Sequence, residues 1–223
     1  MTMDVETELR VAARALARHG LVHAYGHVSV RLDPNRFLVC AARPMALIRA
    51  GETGTIVAVT GPLPEGVLGE VRVHQQIYAR RPDVRAVARI MPPAVMALST
   101  AHRTPRPRHG FGSYFRRGAA LWDDPQLLRD DVAAKSLAQT LGDETAVVMR
   151  GNGAVIAADS LMRAVVLCWY LEDAARVELA ILGAGLEQAS AVLGEAECGR
   201  RATASGQIFE RMWDYLTACD PEL

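Results

Sequence analysis

Two prolines, Pro92 and Pro93, close the apolar run 84–90, and later a glycine-bracketed turn, Arg150-Gly151-Asn152-Gly153, joins two more apolar runs at 145–149 and 154–157. Proline has no N–H to give to a ladder, and glycine reaches positive φ without steric cost, so both patterns belong to strands that end sharply. A sheet is therefore the frame that the rest of the chain must fit.

Residues 6–19 place Leu9, Ala12, Ala13, Leu16 and Ala17 at helical spacing, with Gly20 as a stop. Runs at 28–31 and 36–40 face each other across Asp33-Pro34-Asn35, a hairpin signal, and a third β-branched run at 55–59 ends at Gly61-Pro62. Helices are expected at 70–81, at 126–141 before Gly142, from an Asp159 cap to about 182, and at 187–198 and 205–218. Residues 101–118, rich in Pro, Gly, His and Arg, have neither period and read as a long loop. Hairpins alongside crossovers predict an α/β fold in which helices cover both faces of a mixed, mainly antiparallel sheet. With 223 residues, 50% of them hydrophobic, one domain is expected over 1–223, with a helical C-terminal extension from about 186.

The formal net charge is zero and the basic residues are scattered, which argues against a nucleic-acid or anionic-membrane partner. No apolar run reaches the roughly 18 residues of a span. The polar, acidic start MTMDVETELR is unlike a secretory signal, so a cytoplasmic protein is expected. Cys40, Cys168, Cys198 and Cys219 are widely separated with no CxxC pair, as reduced structural thiols would be. The only lysine, Lys135, falls on the polar face of its helix, which argues against imine chemistry.

Four segments then stand out together: Gly26-His27-Val28-Ser29-Val30-Arg31; Glu70 followed by His74 and Tyr78; ARRPDVRAV; and RGNGAV. In order and spacing they resemble the class II aldolase/adducin family over roughly residues 6 to 185. The resemblance implies a three-layer α/β/α domain, commonly a homotetramer with active sites between subunits. In that family zinc or another divalent ion stabilises an enediolate while a glutamate handles protons. The family's strand ends in His-x-His-Pro and its turn reads Arg-Gly-His-Gly; here the histidine places hold Arg89, Met91 and Asn152. Arginine has no lone pair to give, methionine is soft, and asparagine offers one weak oxygen, so no catalytic metal and no other cofactor is expected. Leu68 and Gly69 before Glu70, and Cys40 to Ala42, stand where sugar-phosphate aldolases carry hydroxyl side chains, which points to an unphosphorylated substrate.

Each candidate residue has a functional and a structural reading. Glu70 is a general acid/base or a solvated carboxylate at a helix N-terminus. Arg89 offers charge and forked donors to a carboxylate or enolate, or it plugs a dead pocket through an ion pair with Glu70 itself. Asn152 donates an amide hydrogen bond to the same oxyanion, or simply suits left-handed turn geometry. His27, at the turn where the family binds substrate, and His109, in a loop with Arg106, Arg108, Arg116 and Arg117, are proton carriers or structural imidazoles. His74 lies one helical turn after Glu70, placed to hold its carboxylate. Gly26, Ser29, Arg43 and Tyr215 complete the substrate-binding set, with a surface ion pair as the alternative for Arg43 and interface packing for Tyr215. Met91 reads as packing. Taken together, these residues suggest a metal-independent carbon–carbon lyase acting beside a carbonyl or carboxylate of a small molecule. Decarboxylation ranks ahead of retro-aldol cleavage and of dehydration or isomerisation. The alternative is a catalytically inactive adducin-like or regulatory interaction protein.

Overall fold

Local chemistry sets the first elements of the chain, which a computed structural model describes over residues 3–116 and 118–223; Arg117, named above, lies outside the described residues. Helix α1 (Val5–Arg18) starts at Asp4, whose carboxylate accepts from the Thr7 N–H, and ends before Gly20 at φ +69°. Strands β1 (His27–Asp33) and β2 (Arg36–Val39) form the expected hairpin, and β3 (Thr55–Ala58) pairs with β2. A 3-10 turn, Gly69–Val71, leads into α2 (Arg72–Arg80), and β4 (Ala86–Ile90) follows. After α3 (Pro93–Thr100) come β5 (Ala120–Trp122), α4 (Asp131–Leu141), β6 (Ala146–Met149) and β7 (Gly153–Ala158). The chain closes with α5 (Leu161–Gly183), α6 (Glu195–Arg201) and α7 (Ile208–Thr217).

The seven strands run in the order β3-β2-β1-β4-β7-β6-β5, antiparallel throughout except for the parallel β5–β6 pair. Alternate residues of each strand feed two separate cores. Val28, Ala88 and Ile156 pack with α1, α3, α5 and α7, whereas Val87, Val147 and Val155 pack with α2 and α4. This is the α/β/α arrangement around a mixed, mainly antiparallel sheet. Each buried Val, Ile or Leu contributes about 1.5–3 kcal/mol, and a one-residue slip would turn every such side chain to the wrong face. That constraint fixes the β1–β4 register, in which His27 stands opposite Arg89, with both on the α2 side.

Two elements were absent from the sequence reading. α3 begins at Pro93 itself, where the missing N–H is no loss, and its Ala94 and Val95 N–H groups donate to the buried Glu172 carboxylate of α5. β5, only three residues long, follows the expected loop at 101–118 in a stretch for which no strand was expected. Three boundaries also differ. α4 starts at Asp131 rather than 126, because Asp130 caps it by accepting from the Ala133 N–H. Ser160, not Asp159, caps α5, while Asp159 pairs with Arg163 at 3.2 Å. The expected helix at 187–198 is confined to Glu195–Arg201, where the Glu197 carboxylate accepts from the Gly194 N–H. Lys135 is exposed on α4, and Cys40, Cys168 and Cys198 are buried free thiols. Among the described residues no helix is long and apolar enough to cross a membrane.

Candidate active site

Glu70, Arg89 and Asn152 meet at the ends of three elements. The Arg89 guanidinium, 2% exposed near the end of β4, donates from Nη2 to Asn152 Oδ1 at 2.8 Å. Its Nε lies 3.1 Å from Glu70 Oε2, an ion-pair distance without the alignment of a hydrogen bond, and its Nη1 has no partner among the described residues. Burial pulls the Arg89 pKa down and Glu70 opposes that shift, while the guanidinium remains a cation. Because arginine only donates, Asn152 must turn its oxygen toward Arg89. Its amide Nδ2 is then a second buried donor without a partner.

The turn carrying Asn152 is pinned from several sides. Gly151 takes φ +66° and its N–H donates to Ser99 Oγ on α3 at 2.9 Å; Arg150 pairs with Asp123. Gly153 takes φ +88°, and a Cβ there would come within 2.0 Å of the Ile90 carbonyl oxygen. The glycines absorb the left-handed geometry and Asn152 has none, so the turn-geometry reading of Asn152 is wrong.

A second group adjoins the first across β1 and β4. His27 Nδ1 lies 2.8 Å from His74 Nε2, His74 Nδ1 lies 2.6 Å from Ser29 Oγ, and Ser29 Oγ lies 2.9 Å from the Tyr78 hydroxyl. All four side chains are buried. Desolvation holds both imidazoles in the neutral form: His74 is lowered to about 3, and His27 is driven well below its usual value by burial, then by His74 and Arg89. His27 Nε2 has no partner among the described residues. His74 therefore bonds, among the described residues, to His27 and Ser29 and not to Glu70.

Gly26 is required by close packing, since a Cβ would lie 2.2 Å from Val22 Cγ2 and 2.9 Å from the Arg89 carbonyl oxygen. Three other candidates sit elsewhere. Arg43 pairs with Glu52 at 3.3 Å, His109 Nε2 lies 2.7 Å from Asp173 Oδ2, and Tyr215 is exposed on α7 against His19. The half-buried Met91 uses its backbone N–H to bond the Leu21 carbonyl. Beside His27 lies a narrow crevice walled by Val39, Cys40, Ala42, Val67, Leu68 and Val71. Wider concavities of about 540 Å³ at Tyr114 and Arg163, about 510 Å³ at Arg72 and Gln75 and about 420 Å³ at His109 and Arg201 share no lining residue with the Glu70 group.

The sequence model of the class II Aldolase and Adducin N-terminal domain matches residues 7–179. The chain belongs to the class II aldolase/adducin family. A 3,4-dihydroxyphthalate decarboxylase of Rhodococcus jostii (strain RHA1) is 31% identical over 192 residues, covering 78% of this chain and 79% of the relative. The protein of the same name from Arthrobacter keyseri is 28% identical over 194 residues, covering 79% and 78%. Among solved structures, the L-fuculose-1-phosphate aldolase of Thermus thermophilus aligns with a TM-score of 0.72 at 26% identity, covering 84% of this chain and 98% of that one. An aldolase II superfamily protein from Pseudomonas syringae gives a TM-score of 0.78 at 23% identity, covering 96% and 92%, and supports the fold alone. Relatives named as decarboxylases in an aldolase family support a lyase-type function at that level.

A divalent ion does not fit the residues at the family's ligand positions. It needs three lone-pair donors at about 2.0–2.2 Å, whereas a buried guanidinium occupies the centre and takes the Asn152 oxygen for itself. His27 Nδ1 and His74 Nε2 are committed to each other, and no cluster of three His, Cys, Asp or Glu side chains suits a metal among the described residues.

Proposed function

We propose that the chain is a metal-independent decarboxylase of a small, unphosphorylated, hydroxylated aromatic carboxylate. Three buried donors without partners, Arg89 Nη1, Asn152 Nδ2 and His27 Nε2, are the observation that carries this reading. Each orphaned buried group costs about 1–3 kcal/mol. An anion satisfies several at once, and the names of the relatives supply its class. The crevice beside His27 is walled mostly by apolar side chains but is closed even to water, so a substrate ring has to open it.

In the proposed cycle the substrate carboxylate exchanges with Glu70 for Arg89. Freed of the guanidinium, Glu70 takes the proton of a ring hydroxyl beside the carboxylate, and Arg89 and Asn152 hold the resulting oxyanion. Glu70 then returns that proton to the ring carbon bearing the carboxylate. The carbon–carboxylate bond breaks, CO2 leaves, and its electron pair restores the aromatic ring as a phenolate that takes up a solvent proton. The reading carries with it a cytoplasmic homo-oligomer, a tetramer by family resemblance, in which a neighbouring subunit walls the pocket; light scattering checks the assembly.

The test is CO2 release from 3,4-dihydroxyphthalate and a panel of hydroxybenzoates, with and without a chelator. Turnover undiminished by the chelator is expected, and a stoichiometric metal required for turnover would overturn the metal-free claim. The inactive-protein reading is favoured by one observation, the Glu70–Arg89 ion pair beside a narrow crevice. It predicts no stabilisation by any aromatic acid. The decarboxylase reading predicts a gain of about 2.7 kcal/mol at a ligand concentration of 100 Kd, read as a rise in Tm.

A further inference from the structure

The polarity of the Tyr78, Ser29, His74 and His27 chain can be worked out from its ends. Run one way, the Tyr78 O–H donates to Ser29 Oγ, the Ser29 O–H to His74 Nδ1, and the His74 Nε2–H to His27 Nδ1, leaving His27 with its proton on Nε2. Run the other way, His27 Nδ1–H starts the relay and the Tyr78 O–H is left over. Among the described residues the Tyr78 hydroxyl makes one hydrogen bond, with Ser29 Oγ. The second polarity therefore strands a hydroxyl proton inside the core as well as a lone pair on His27. His27 and Arg89 stand opposite each other on one face, and His27 Nε2 and Arg89 Nη1 do not bond, an arrangement that two donors tolerate.

We propose that Tyr78, Ser29 and His74 act as positioning residues that lock His27 in its Nε2–H tautomer, making Nε2 the third donor to the substrate oxyanion beside Arg89 Nη1 and Asn152 Nδ2. The ligand half of this inference rests on the decarboxylase reading; the tautomer does not. The arrangement suits a reaction that gathers negative charge, because a neutral imidazole donor adds a hydrogen bond without a second fixed cation beside Arg89. It also gives Tyr78 and Ser29, neither of which needs to touch the substrate, a measurable role.

The experiment is long-range 1H–15N NMR on the full-length protein labelled in histidine, with His27→Gln used to assign the resonances. At pH 7 His27 and His74 should both show a protonated Nε2 and an unprotonated Nδ1. A proton on His27 Nδ1, or on both nitrogens, would overturn the proposal. Tyr78→Phe removes the terminal donor and should let the Nδ1–H form of His27 appear; Ser29→Ala, which cuts the same chain, serves if the first variant does not fold. An unchanged His27 spectrum in a folded variant would sink the lock. Adding phthalate should shift the His27 Nε2–H resonance of the wild type, and phthalate binding that leaves it unmoved removes His27 from the donor set. Should no aromatic acid bind while the tautomer stands as predicted, the decarboxylase reading fails and the lock survives.

Discussion

Glu70→Gln should cut decarboxylation by about 10²–10⁴-fold, the usual contribution of a positioned acid/base group. The glutamine amide fills the same space but cannot accept the hydroxyl proton and return it to carbon. Because Glu70 also competes for Arg89, the variant should bind phthalate more tightly than the wild type while turning over less, separating kcat from affinity. Its stability cost should be modest, about 1–3 kcal/mol, because the glutamine oxygen still faces Arg89 and the position is a fifth exposed. Single-turnover rates, phthalate titration and a melting curve read the three quantities. Equal turnover of variant and wild type would remove Glu70 from the chemistry, and tighter binding without any turnover in either protein would favour a silent carboxylate-binding protein.

The legible parts of the fold were those whose signals are local. β4 shows in the sequence because Pro92 and Pro93 cut off an apolar run, and the β6–β7 hairpin because Gly151 and Gly153 bracket its turn. α3 was hidden because the group that satisfies its first turn is Glu172, 78 residues from Ala94. The same prolines that announce the end of β4 also read as a general stop, although Pro93 suits a helix start. β5 has three residues and one parallel neighbour, too short a run to show a period.

The site divides along the same line. The substitutions Arg89, Met91 and Asn152 were visible as departures from a pattern, and the pattern placed Glu70 among them. Whether Arg89 lies free or paired is a matter of distance, and the structure shows it shared between Glu70 and Asn152. His27, Ser29, His74 and Tyr78 were each visible, and the four-residue spacing of His74 and Tyr78 puts them on one face of a helix. Their bonding was not, because it depends on which face of β1 meets α2. That is set by the register of β1 against β2 and β4 and by the burial of Val28 and Val30 on the other side.

Arg14→Ala should lower stability by up to about 3–5 kcal/mol, the cost of breaking a buried ion pair, because Arg18 and Arg10 compensate Asp220 and Glu222 only in part. Arg14 donates from Nε and Nη2 to both oxygens of Asp220, at 2.8 and 2.6 Å, and from Nη2 to Glu222 at 2.7 Å, so the forked guanidinium ties the end of the chain to α1. The Asp220 side chain is fully buried, and Arg10 and Arg18 complete the cluster. For a chain of this size the loss corresponds to a Tm lower by roughly 10 °C. Exchanging both partners, Arg14→Leu with Asp220→Leu, should recover much of it, since the uncompensated charge is gone. A double variant no more stable than Arg14→Ala would assign the cost to lost packing instead. Acid should act on the same cluster. Arg10 hydrogen bonds pull Glu222 down to about 2, and Asp220, pushed up by burial, is held low by its Arg14 bonds. Both carboxylates bind protons more weakly folded than unfolded, so their stabilisation is complete above about pH 4.5 and drains away as pH falls toward 2. Melting curves across that window should show a steep fall in the wild type and a shallower one in the double variant, which has lost one of the two carboxylates.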